Sequence, residues 1–128
     1  MRLLLDTHAL LWWHEDGPDL SRRALEAIRD PANTVYLSVV NVWEAQIKHQ
    51  LGKLTLRDPL REIVSQQHRV NGFGLLSVRA DHVYRLDTMA THHKDPFDRL
   101  LVAQALHEDL VLVSKDKKLT PYAATLLW

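Results

Sequence analysis

The feature that most limits how this chain can fold is Leu110 to Val113, an aliphatic run with no polar position in it. A strand that is apolar at successive residues is covered on both faces, and the common home of such strands is a parallel sheet packed between helices. Arg2 to Leu5 reads the same way and stops at Asp6. Thr34 to Val40, richer in β-branched residues, and Gly72 to Val78 predict two more strands, and Thr125 to Trp128 predicts a further one at the sheet edge. Helical spacing fills the intervals: Leu20, Ala24, Ala27 and Ile28 behind an N-cap at Ser21; Leu60, Ile63 and Val64; Val83, Leu86 and Ala90; Phe97, Leu100, Leu101 and Ala105. Strands alternating with helices predict an α/β sandwich on a mainly parallel sheet, with its crevice at the carboxyl ends of the strands. In 128 residues there is no repeat and no linker, so one domain over 1–128 is expected.

Charge and composition narrow the chemistry. Lys plus Arg and Asp plus Glu each total 16, so the formal net charge is zero and any contact with nucleic acid must come from a local patch. Lys48, Lys53, Arg57, Lys94, Arg99, Lys115, Lys117 and Lys118 are the basic residues that could meet phosphates. There is no cysteine, which leaves oxygen or imidazole as metal ligands. Eight histidines invite a zinc reading through His8, His14, His92 and His93, but no HExxH-type spacing occurs, so exposed or supporting roles are the better expectation. No apolar run approaches the roughly 20 residues of a membrane helix, and a cytoplasmic location is expected.

Against that neutral background the acids are placed with regularity. Asp6 follows the first strand, Asn41 and Glu44 follow the second, Asp95 and Asp98 open the last strong helix, and Asp116 follows the Leu110 to Val113 run. Each has an ordinary structural use. Asp6 suits an N-cap of a helix near His8, Asn41 an N-cap of a helix at Val42, and Asp116 a turn before Leu119; Asp95 before Pro96 is a common helix start, with Asp98 an acid in its first turn. Together, however, they converge on one crevice, where carboxylates repel unless a cation neutralises them. Hard divalent ions such as Mg2+ take oxygen ligands and keep sites open for water and phosphate oxygens, which suits phosphodiester hydrolysis.

The pieces LLLDTHALLW from Leu3, SVVNVWEAQIKHQLGKL from Ser38, HKDPFDRLLVAQAL from His93 and LVLVSKDKKL from Leu110 resemble, in this order, the PIN-domain ribonucleases, and among them the VapC-type toxins of toxin–antitoxin pairs. The resemblance implies a three-layer sandwich with four to five strands flanked by helices. It implies endoribonuclease activity with Mg2+, or Mn2+ as a substitute, on Asp6, Glu44, Asp98 and Asp116. Thr7, Asn41, Asp95 and Ser114 become supporting residues, with turn or cap roles as their alternatives. It further implies a cognate antitoxin and a homodimer. Trp12, Trp13 and Trp43 are expected in the core or at a protein interface rather than as stacking platforms for bases. Two rivals remain: a binding module that kept the fold without catalysis, and a phosphatase with an aspartyl nucleophile at Asp6. The second lacks the paired acid at the first strand, where His8 stands.

Overall fold

The computed structural model describes residues 1–90, 95–122 and 124–128. Its strands are β1 (Arg2–Leu5), β2 (Thr34–Ser38), β3 (Gly74–Leu76), β4 (Val111–Val113) and β5 (Leu126–Leu127). They form one sheet in the order β3-β2-β1-β4-β5, and every pairing is parallel. The helices are α1 (Thr7–His14), α2 (Arg22–Arg29), α3 (Val39–Gln50), α4 (Leu60–Asn71), α5 (Ala80–Arg85) and α6 (Pro96–Glu108), with 3-10 turns at Leu86–Thr88 and Lys117–Tyr122. No described helix is long and apolar enough to cross a membrane.

The sheet divides the interior into two cores, and the alternation of side chains along each strand decides which residue enters which. Leu3 and Leu5 of β1, Val35 and Leu37 of β2 and Val113 of β4 pack on one face with Ala9 and Leu10 of α1, Ala24 and Ile28 of α2 and Ile63 of α4. Leu4 and Leu112 point the other way, onto Val40 of α3 and Leu100, Leu101 and Ala105 of α6. Leu3, Leu4 and Leu5 are all 0% exposed, which is why the run tolerates no polar residue until the strand has ended. The result is the expected three-layer α/β sandwich, with a sheet that is wholly rather than mainly parallel.

Boundaries depart from expectation where capping overrides strand propensity. The β2 strand stops at Ser38 instead of Val40, because the Ser38 hydroxyl accepts the Val40 N–H at 2.9 Å while Asn41 Oδ1 accepts the Ser38 N–H at 2.7 Å. This reciprocal box satisfies amides that the first turn would otherwise leave unpaired, so α3 begins at Val39 despite two β-branched residues. Asn41 is therefore the third residue of the helix and not the N-cap of one starting at Val42. Gly72 closes α4 at a φ of 70°, which shortens β3 from the expected Gly72 to Val78. Asp109 ends α6 in the left-handed region at φ 56° and the Leu110 N–H returns to the Ala105 carbonyl, so β4 starts at Val111. The segment carrying Val83, Leu86 and Ala90 is helical only to Arg85, followed by the 3-10 turn. His92, His93 and Lys94 lie outside the described residues.

Candidate active site

The order of the strands places β1 beside both β2 and β4, so the chain leaves β1 in one direction for β2 and β3 and later returns to pair β4 on the other side. At such a reversal the carboxyl ends of neighbouring strands open a crevice. Asp6 stands at its floor. The Asp6 N–H extends the pairing to β4 by donating to the Val113 carbonyl at 3.0 Å, and one carboxylate oxygen caps α1 by accepting the Ala9 N–H at 2.8 Å. The structural reading of Asp6 is thus correct as far as it goes, and it does not remove the acid from the crevice. Ser114, the residue after β4, is buried, gives a side-chain hydrogen bond to Asp6, and accepts the Asp116 N–H at 3.1 Å.

Burial pushes the Asp6 carboxyl up to about 6; the hydrogen bonds from Ser114 and Ala9 and the charge of His8 work against the rise, and the negative charge of Asp98 adds to it. Asp98 therefore acts on Asp6 across the crevice. It comes from the N-terminus of α6, where Asp95 is the N-cap and accepts the Phe97 N–H at 2.9 Å and the Asp98 N–H at 3.2 Å, with Pro96 in the first turn.

Glu44 reaches the same place from α3. It is 5% exposed, and both of its oxygens are held: the Thr7 hydroxyl donates to Oε1 at 2.5 Å, and the Lys48 ammonium, one helical turn on, donates to Oε2. Asn41 Nδ2 in turn donates to the Thr7 hydroxyl oxygen at 3.2 Å. Burial works to lower the Lys48 pKa, but the Glu44 hydrogen bond and the charges of Glu44, Asp95 and Asp98 outweigh it and hold the ammonium above its ordinary value. One carboxylate oxygen each from Glu44, Asp95 and Asp98 lie within 4.8 Å of one another, a spacing at which three acids could grip a single cation.

The structure thus gathers Glu44, Asp95 and Asp98 tightly, with Asp6, Thr7, Asn41 and Ser114 around them. Asp116 follows β4: its Oδ1 accepts the Lys118 N–H at 2.9 Å in the turn before Leu119, and its own N–H donates to the hydroxyl of Ser114, the residue that also bonds Asp6. His14 is buried and bonded to Asp58 at 2.8 Å and Gln67 at 3.1 Å, away from this cluster, whereas His8 stacks on Trp12 and acts on Asp6 through its charge. Sequence reasoning missed the buried bond from the Ser38 hydroxyl to Gln104 Oε1 at 2.5 Å, which ties the end of β2 to α6; a glutamine between apolar residues on a core-facing helix was the available signal.

The PIN domain family model matches residues 3–124. The chain belongs to the PIN domain family. No curated protein is similar enough in sequence to match. The fold of this PIN domain recurs in VapBC2 from Rickettsia felis bound to a promoter DNA fragment, at TM-score 0.71 and 17% identity over 99% of this chain and 98% of that one. It recurs also in VapBC-1 from nontypeable Haemophilus influenzae (TM-score 0.67, 18% identity, 99% and 97% covered) and in VapBC-5 from Mycobacterium tuberculosis (0.60, 16%, 98% and 95%). At these identities the likeness is one of fold.

Two apolar surfaces of the PIN domain involve α3. Trp43, 51% exposed beside Glu44, meets Phe97 edge to face at 4.8 Å, whereas Trp13 packs into the core and donates to Gln67. An apolar groove of about 660 Å³ runs between α3 and α4, lined by Val39, Val42, Leu60, Val64 and Leu75 among others.

Proposed function

We propose that this PIN domain is a metal-dependent endoribonuclease toxin, cytoplasmic and held inactive by a cognate antitoxin. The observation that carries the reading is the convergence of Glu44, Asp95 and Asp98 from two different helices beside Asp6, at the crevice where an α/β sheet binds its ligands. The donor set fits a hard divalent cation, since it is made of carboxylate oxygens alone, and Mg2+ with Mn2+ as substitute is the assignment. Glu44, Asp95 and Asp98 would hold the ion together with Asp6. Asp116, whose N–H binds the Ser114 hydroxyl beside Asp6, is the further acid of the proposed centre. When bound, the ion supplies electrophilic activation of the phosphodiester and of an attacking water.

The chain's own residues supply order. Thr7, fixed by Asn41, holds one oxygen of Glu44, so that carboxylate meets its ligand from a set direction. Asp95 does the same for the start of α6 by binding its first amides. Support for an antitoxin is that the similar folds belong to toxin–antitoxin assemblies, and the groove between α3 and α4 offers apolar surface a partner could cover. A second copy of the chain completes the assembly implied by the resemblance.

The test is cleavage of a cellular RNA pool by the purified, antitoxin-free chain with Mg2+, with EDTA, and with Glu44→Gln. Discrete fragments that require both the metal and Glu44 support the reading. Cleavage that survives EDTA or Glu44→Gln would remove these acids from the chemistry, and no cleavage by a folded, ion-binding protein would turn the reading toward a non-catalytic binding module.

A further inference from the structure

We propose that Lys48 is the built-in counter-ion of the acidic centre: its ammonium holds Glu44 in place before a divalent cation arrives, and competes with that cation for the same carboxylate. The inference rests on the metal-centre reading and extends it to a residue outside the acids.

Geometry carries the argument. The Glu44 side chain is 7% exposed, too little for water to solvate a lone carboxylate, and its Oε2 finds its charge partner in Lys48. The two residues lie four apart on α3, so the backbone sets the approach without ordering a loop. Glu44 lies with Asp95 and Asp98 in one cluster, whose oxygens come within 4.8 Å of one another, and the charges of all three act on the Lys48 ammonium.

The partners also differ in freedom. Glu44 is buried and held by Thr7, whereas the Lys48 side chain is 31% exposed on a flexible four-carbon stem. When an ion takes Oε2, Lys48 can turn outward while Glu44 stays fixed. Its ammonium then stands at the rim, where an RNA phosphate approaches. Lys48 is on this account a positioning residue for the cation.

Mn2+ binding to the purified, antitoxin-free chain tests the idea without reference to cleavage. Free Mn2+ would be followed by electron paramagnetic resonance for the parent, Lys48→Met, Lys48→Gln and Lys48→Arg, with circular dichroism to verify folding and to record the rise in Tm on saturation. The parent should bind one ion. Both neutral variants should bind the first ion about tenfold more tightly, because a nearby positive charge and a competitor are gone together, and should show a larger Mn2+-induced rise in Tm; Lys48→Arg should stay near the parent. A merely structural ion pair would lower Tm in EDTA and leave Mn2+ affinity unchanged. Equal or weaker binding by folded Lys48→Met and Lys48→Gln overturns the role of Lys48 and leaves the metal centre standing. Absence of Mn2+ binding in every protein overturns both.

Discussion

At Asp6 two demands meet on one side chain. The carboxylate must cap α1, which any good N-cap residue could do, and it must carry its charge in a crevice that disfavours charge. Unfolded, the acid titrates at the ordinary 3.8; folded, at about 6. Between those values the folded state holds a proton that the unfolded state has lost, so stability falls as pH rises through the window and the full penalty is present above it. Asp6→Asn keeps a capping oxygen and cannot ionise. In EDTA the variant should therefore be more stable than the parent at pH 7.5, by about 1–2 kcal/mol after allowing for residual solvent screening, with the gap closing near pH 4. Thermal melts at both pH values measure it, and a parent more stable at pH 7.5 would refute the penalty. The acids themselves were legible in the sequence because each follows a strand or opens a helix. Their distances were not: spacing along the chain could not say that Asp95 as well as Asp98 would come within reach of Glu44, since that depends on how α6 docks across the sheet. The Glu44 and Lys48 pair was readable in principle from its four-residue interval.

Among the elements, the short ones depend most on particular contacts. In β3, Gly74 lies opposite Tyr36, and a Cβ there would meet ring carbons of Tyr36 at 2.8 and 2.9 Å. A stiff ring in a paired strand yields little, so Gly74→Ala should cost about 1–2 kcal/mol in urea unfolding; an unchanged midpoint would mean that the edge moves freely. Helix α5, six residues long, is anchored by buried His82, whose Nδ1 accepts the Arg79 N–H at 3.0 Å and whose Nε2 meets Glu108 of α6 at 2.8 Å. The His82 bond, then Arg79, pull the Glu108 carboxyl below its ordinary 4.5 against the effect of burial. A lowered acid stabilises the fold above its ordinary value and loses that contribution as pH falls through the folded one. Glu108→Ala should cost about 2 kcal/mol at neutral pH by leaving His82 unpaired, and the deficit should shrink once the parent's own carboxyl is protonated below pH 4.5. A deficit independent of pH would assign it to packing alone. Element types were legible from periodicity, whereas the start of α3 was not. Val39 and Val40 favour a strand locally, and the side chains of Ser38 and Asn41 overrule them.

For the molecule as a whole, a net charge of zero beside a dense acidic crevice leaves few points at which the proposed RNA substrate would be held. Lys48 contacts Glu44, Arg99 follows Asp98, and Lys115 stands between Ser114 and Asp116 with its ammonium 5.8 Å from the Trp12 ring. With about three phosphate contacts on a single strand, affinity should fall about 20-fold between 50 and 200 mM salt. Fluorescence anisotropy with the Glu44→Gln variant reads this without cleavage, and a loss of several hundred-fold would mean a much wider basic face than these three residues provide. The reversal of chain direction at β1 also bears on manufacture. Asp6 and Glu44 are made early, Asp95 and Asp98 late, and the strand that seats Ser114 beside Asp6 later still. A chain made only as far as β3 carries Asp6 and Glu44 without Asp95 and Asp98, on an unfinished sheet. On the proposed reading, such a nascent fragment lacks its acidic centre until α6 has been made and docked.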